Sequence, residues 1–136
     1  MKVCLDEGAF LPTRAHPLDA GLDLYAPEEG WIRARGRAFI DTGVHIRLET
    51  DEAGEIRGRS GLARRGVMVA SGTIDAPYRG SLGIVLFNVT DDDYHIRRGD
   101  RIAQLVVTKI ARPVVEQVDA LDDTDRGDGG FGSTGR

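Results

Sequence analysis

Chemistry in this chain is concentrated in a few short stretches. In GTIDAPYRG, residues 72–80, Asp75 stands directly before an Ala76-Pro77 turn and Tyr78 directly after it. The pattern predicts a β-hairpin that presents an acid and an aromatic at its tip. An acid so placed can be a general base that orients a water, Tyr78 a platform for a sugar or base, and the hairpin backbone an edge that pairs with a base. From these residues alone, an ordinary turn acid and a half-buried strand tyrosine are the simpler account.

In AGLDLYA, residues 20–26, Asp23 alternates with Leu22 and Leu24. Alternation sends the acid to solvent by default or buries it against a charge. The alternative is a carboxylate that holds waters around a divalent cation, because Mg²⁺ gives up its waters reluctantly. GRSGLA, residues 58–63, puts Arg59 and Ser60 ahead of Gly61 at the one expected helix start. A guanidinium, a hydroxyl and backbone N–H groups converge there as an anion site requires. Leu62 stands where a nucleophile elbow needs glycine, and His16, His45 and His95 have no triad context. Phosphate binding is therefore a better reading than covalent serine catalysis.

In RRGDRIAQLVV, residues 97–107, a Gly99-Asp100 turn feeds a strand in which Gln104 is the one uncharged polar residue. Such a glutamine usually satisfies a neighbouring backbone group, and it could equally donate to a phosphate oxygen. DRGDGGFGSTGR, residues 125–136, contains both G-x-G-x-x-G and a phosphate-loop spacing that lacks its lysine. Neither pattern follows a strand and opens a helix, as both must. What remains is a set of close-approach glycines, the hydroxyls of Ser133 and Thr134, arginines at 126 and 136, and the face of Phe131. These suit a lid over a nucleotide's phosphates and base.

The elements that must position these residues are short. Strand signals fall at 2–5, 31–33, 38–40, 44–48, 55–57, 67–70, 82–89, 94–96, 102–110 and 114–118, each rich in Val and Ile and bounded by Gly, Pro or Asp. Residues 61–65, with Ser60 as N-cap, are the only helical candidate. The fold expected is all-β, a jelly-roll-like distorted β-barrel with at most one short helix. The 136 residues make one domain with one core: a β-barrel over 1–118, then a flexible connector and glycine-rich lid over 119–136.

Composition narrows the partners. The net charge of −4, with acids crowded near the C-terminus, argues against nucleic acid held by its backbone. The apolar runs are too short for a membrane span or signal peptide, so a soluble cytoplasmic protein is expected. The lone cysteine, Cys4, fits a reducing compartment and reads as a small core residue.

Taken in order, AGLDLYA, GRSGLA, GTIDAPYRG, RGDRIAQ and RGDGGFGSTG resemble the five sequence motifs of the trimeric deoxyuridine triphosphatases (dUTPases), from about residue 20 to the C-terminus. The resemblance implies a homotrimer whose active sites each draw on three chains. Asp23, Arg59, Ser60 and Gln104 would come from one chain, Asp75 and Tyr78 from a second, and the arm with Phe131 from a third. It further implies hydrolysis of dUTP to dUMP and pyrophosphate with Mg²⁺, which limits uracil incorporation into DNA and supplies dUMP for thymidylate synthesis.

In that scheme Asp75 activates the water that attacks the α-phosphorus, and Asp23 holds waters of an Mg²⁺ bound mainly by substrate phosphates. Arg59, Ser60, Gly61 and Gln104 hold the phosphate chain, while Arg126, Gly132, Ser133 and Thr134 close over its far end. The backbone of Gly72, Thr73 and Ile74 pairs the uracil edge, Tyr78 packs beneath the sugar, and Phe131 stacks on the base, worth about 1–3 kcal/mol. The chain departs from the family pattern at Gly58, where proline is usual, at Ala70-Ser71 and at Asp19.

The related dCTP deaminases use a glutamate in place of the water-activating aspartate, so Asp75, Tyr78 and the complete fifth motif favour dUTPase. Zinc deaminases are excluded by the lack of H-x-E and C-x-x-C. A non-hydrolysing binding module of the same fold is the remaining class, and five intact motifs argue for retained catalysis.

Overall fold

The structure, a computed structural model, describes residues 1–129. Ten strands and one short helix form among these residues: β1 (Lys2–Leu5), β2 (Gly21–Tyr25), β3 (Gly30–Ile32), β4 (Arg37–Arg47), β5 (Glu52–Arg57), α1 (Ser60–Ala63), β6 (Val67–Val69), β7 (Gly72–Asp75), β8 (Ser81–Asn88), β9 (Tyr94–Ile96) and β10 (Arg101–Lys109). They pair antiparallel into a sheet ordered β1-β4-β8-β6, a sheet ordered β2-β10-β5-β7, and a β3-β9 ribbon. The all-β, jelly-roll-like expectation holds. No helix among the described residues is long and apolar enough to cross a membrane.

Strand β8 shows how the core is specified. Leu82, Ile84 and Leu86 are buried and alternate with the more exposed Gly83, Val85 and Phe87, so one face turns inward. Leu22, Leu24, Ile56 and Leu105 of the second sheet join the same cluster, with Ile32 and Ile96 of the ribbon closing one side. Each fully buried side chain of this kind contributes roughly 1.5–3 kcal/mol. This cluster, rather than any helix, holds the two sheets together.

Four expectations change. The strands expected at 38–40 and 44–48 are one strand, β4, interrupted by an irregularity between Asp41 and His45. There Thr42, Gly43 and Val44 are all buried, which simple alternation cannot produce. The Thr42 hydroxyl donates to the Leu82 carbonyl at 2.8 Å, and Gly43 takes a φ of +65° with its N–H on the Asp41 carboxylate. Cys4 is exposed rather than in the core, because alternation along β1 turns Val3 inward and Cys4 out.

Residues 72–80 do not form a hairpin with the following strand. β7 pairs with β5 in one sheet, whereas β8 belongs to the other. The Asp75 turn, closed by the Tyr78 N–H on the Asp75 carbonyl at 3.0 Å, is therefore a corner between sheets. The strand expected at 114–118 does not form. After the Ile110 N–H bonds to the Asp51 carbonyl the chain leaves its own sheets, and Val114 and Val115 are 95% and 92% exposed. A β-branched run has no ladder to join there.

The β4 irregularity makes a stability prediction. Gly43→Ala puts a methyl 2.9 Å from the Ala9 Cβ in a left-handed backbone conformation. Urea unfolding should show a loss of at least about 1–2 kcal/mol. Gly30→Ala, which meets nothing within 4 Å, should stay within about 0.5 kcal/mol of wild type. Equal losses in the two variants would contradict a strained bulge.

Candidate active site

The site is organised by Asp23. On β2 its neighbours Leu22 and Leu24 face the core, which leaves Asp23 on the other face, yet it is only 3% exposed. Side chains from other segments cover it, so the solvent default for this residue is overturned. Its Oδ1 accepts from Arg59 Nε at 3.1 Å and from Gln104 Nε2 at 3.2 Å, and its Oδ2 accepts from an Arg101 terminal nitrogen at 3.2 Å. Arg59 also donates to the Arg101 carbonyl at 3.1 Å.

Each partner arrives by a local structural device. Gln104 is the register partner of Asp23 across the β2-β10 ladder, so the two share a face. Its side chain lies across Gly21, where a Cβ would come within 3.1 Å of it. Arg59 is the extended residue capping α1, with its carbonyl accepting the Leu62 and Ala63 N–H groups. Ser60 is thus the first helical residue rather than the cap, and Ser60 and Gly61 are exposed beside Arg59.

Arg101 was not singled out by the sequence reading, and the reason is geometric. Residues three apart on a regular strand face opposite sides. A register shift between Arg101 and Ala103 brings Arg101 and Gln104 onto the Asp23 side together. The signal available in the sequence was the unbroken run Ile102-Ala103, both buried, inside an otherwise alternating strand.

Arg59 and Arg101 line a cavity of about 580 Å³ with Arg65 and Arg97. Leu62, Ile96 and Ile102 are among its other lining residues. Arg65 is held over the Tyr94 ring at 5.4 Å and donates to the Gly61 carbonyl at 3.2 Å. Guanidiniums fixed in this way suit a polyanion, since they present planar donor pairs to phosphate oxygens.

The other expected residues are elsewhere. β7 is the edge strand of the second sheet, so Gly72, Thr73 and Ile74 pair with β5 on one side and keep the other row of backbone groups open. Asp75 is exposed at its end, and Tyr78 is 45% exposed with its hydroxyl donating to the Ser81 carbonyl at 3.0 Å. The Tyr78 ring lies over Gly80, where a Cβ would sit 2.3 Å from the phenol oxygen. Along the ladder, Asp75 opposes Ala53, four residues from the Arg57 that opposes Gln104. With three strand spacings between β7 and β2, Asp75 and Asp23 of one chain are on the order of 20 Å apart. Arg126 is exposed in the segment outside the sheets and donates to the Gly129 carbonyl at 2.8 Å. Phe131, Gly132, Ser133 and Thr134 lie outside the described residues.

An antiparallel double-sheet domain that aligns guanidiniums and an amide around one buried acid, with a second acid on an open edge strand, presents donors of the kind that suit a phosphorylated ligand. The sequence model of the dUTPase family matches residues 7–135, and the chain belongs to that family. It is 49% identical over 132 residues to the deoxyuridine 5'-triphosphate nucleotidohydrolase of Arabidopsis thaliana, covering 96% of this chain and 80% of the plant protein. It is 46% identical over 132 residues to the protein of the same name from Paramecium bursaria Chlorella virus 1, covering 96% and 94% of the two chains. Among solved structures, the Staphylococcus bacteriophage 80alpha dUTPase with dUPNHPP superposes with a TM-score of 0.93 at 30% identity, over 99% of this chain and 98% of the phage chain. A mutant dUTPase from phage phi11 of S. aureus, described as coordinating a structural Mg(II) ion, gives 0.82 at 28% identity over 88% and 96% of the two chains.

The Asp23 cluster carries its own prediction. Asp23→Ala leaves Arg59 and Arg101 facing each other without their anion. Chemical denaturation should register a loss at the lower end of roughly 3–5 kcal/mol, since Arg101 is partly solvated. A loss below about 0.5 kcal/mol would mean that the carboxylate does not organise the site.

Proposed function

We propose that this protein hydrolyses dUTP to dUMP and pyrophosphate, in sites assembled from neighbouring copies of the chain. Supporting this reading, beside family membership, is the separation of about 20 Å between Asp75 and the Asp23 cluster. The α-phosphorus of a nucleotide whose phosphates lie on Arg59 and Gln104 is within reach of an Asp75 only if that Asp75 belongs to another copy. A homotrimer supplies such copies by symmetry.

Arg59, with Ser60, Gly61 and Gln104, holds the phosphate chain, and Arg101 and Asp23 keep Arg59 in orientation. The open edge of β7 offers backbone donors and acceptors to the uracil edge, while Tyr78, fixed over Gly80, supports the sugar. Asp75 takes a proton from a water whose oxygen attacks the α-phosphorus; the bond to the bridging oxygen breaks in line, and pyrophosphate leaves. Arg126 and the stretch containing Phe131, Gly132, Ser133 and Thr134 cover the bound nucleotide. Release of dUMP by this reaction keeps uracil out of DNA and provides a thymidylate precursor.

Among the described residues no three His, Cys, Asp or Glu side chains gather into a metal cage. An ionised carboxylate has about four acceptor positions, and Asp23 uses three of them on Arg59, Gln104 and Arg101. The remaining acceptor position of Asp23 would hold a water of an Mg²⁺ brought in by the substrate phosphates. When bound, the ion neutralises phosphate charge.

Two measurements test the reading. Pyrophosphate release should be seen with dUTP and not with dCTP, dTTP or UTP, and Asp75→Asn should abolish it; release from all four would refute the uracil-edge assignment. Mixing inactive Asp75→Asn with inactive Arg59→Ala, after dissociation and reassembly, should restore about a quarter of wild-type turnover, because a quarter of randomly assembled sites draw both intact residues. Sites contained within single chains would give no recovery.

A further inference from the structure

We propose that His45 is a positioning residue for the turn that carries Asp75, holding it while the imidazole is doubly protonated and loosening it when the ring loses a proton. The inference rests on the dUTP-hydrolysing role proposed for that turn. It comes from His45 and Asp6, which lie outside the five motifs, and from the contact of His45 with Arg79 just before β8.

His45 follows the β4 irregularity, where four positions of β4 pass while β8 advances two. Its Nδ1 lies 2.8 Å from the Arg79 carbonyl oxygen, directly after Tyr78, and its Nε2 lies 3.2 Å from both carboxylate oxygens of Asp6. A backbone carbonyl and an ionised carboxylate are acceptors only. A neutral imidazole has one N–H, so either tautomer turns a lone pair toward one of these oxygens. Only the imidazolium donates to both.

The surroundings favour that cation. The Asp6 carboxylate faces the ring from the segment after β1, and Asp41 stands near it on β4 itself. Ser81, its register partner on β8, donates its hydroxyl to Asp41, and Cys4 is the register partner on β1. Of the neighbouring cations, Arg79 folds back onto the carbonyls of Ala76 and Tyr78 at 2.6 and 2.7 Å, while Arg47, two residues along β4 on the same face, and its β1 register partner Lys2 are exposed. The Arg79 carbonyl first, then the Asp6 carboxylate, raise the His45 pKa above its ordinary 6.5. The Ser81 hydroxyl and the Gly43 N–H hold Asp41 below the usual carboxylate value, so it stays charged beside the ring.

Within the turn, Tyr78 is tied to Asp75 through the backbone and to Ser81 through its hydroxyl. His45 adds a side-chain tie from β4, the strand paired with β8. Because its folded pKa is raised, the tie is complete below the unfolded value of 6.5 and is lost as pH rises through the folded value.

The test follows the His45 ring nitrogens and the amides of Asp75, Tyr78, Arg79 and Gly80 by ¹H–¹⁵N NMR from about pH 5 to 9 in the full chain. Wild type, Asp6→Asn and His45→Asn are compared, and kcat/KM for dUTP is measured on the same samples. The turn amides should titrate with the His45 pKa, above 6.5. Asp6→Asn should lower both midpoints together by about one unit. His45→Asn, whose amide can still donate to the Arg79 carbonyl without titrating, should remove the amide titration and flatten any fall in kcat/KM above neutral pH.

Turn amides that ignore the His45 ionisation, or that titrate unchanged in His45→Asn, overturn the inference. The wild-type titration alone decides this if a variant fails to fold. Absence of dUTP hydrolysis at every pH, with amides that still follow His45, would instead overturn the proposed function and leave the positioning link standing.

Discussion

A carboxylate removed from water must be met by donors or cations, and the candidate site is what forms when three segments meet that demand for Asp23. β2 supplies the acid, β10 supplies Gln104 and Arg101, and the residue capping α1 supplies Arg59. The Gly21 backbone makes room for Gln104, and the β10 register shift turns Arg101 to the same side. The carboxylate thereby fixes positively charged groups that would otherwise repel one another. Arg59 and Arg101 also line the neighbouring cavity.

The sheet imposes the second constraint. Strand spacing and residue rise set distances that side chains cannot shorten, so Asp75 at the far edge cannot approach the Asp23 of its own chain. The same edge position leaves a row of β7 backbone groups open, which is what recognition of a flat base edge requires. Edge strands invite association and are ordinarily shielded. Here the open edge coincides with the part of the molecule proposed to receive a base and, beside it, another copy's phosphate cluster.

Both irregular strands serve position rather than stability. The shift in β10 gathers Arg101 and Gln104 on one face, and the one in β4 buries Thr42 to Val44 while presenting His45 to the Asp75 turn. A regular alternating strand could do neither, because its side-chain period is two. The apolar core tolerates these interruptions because Leu82, Ile84 and Leu86 of β8 keep strict alternation between them.

The sequence by itself determined the all-β class, the spacing of most strands and the chemical character of Asp23, Arg59, Gln104 and Asp75, since propensity, punctuation and motif chemistry are local properties. It did not determine which of these residues touch. That Asp23 is buried under two arginines, that Arg101 belongs to the site, that Cys4 faces outward and that residues 72–80 turn a corner between sheets all depend on register and on bulges. Strand pairing joins residues far apart in the chain, as Asp23 and Arg101 are, and a one-residue shift moves a side chain to the other face. Only the tertiary structure fixes that register, because only there do the partner strands exist.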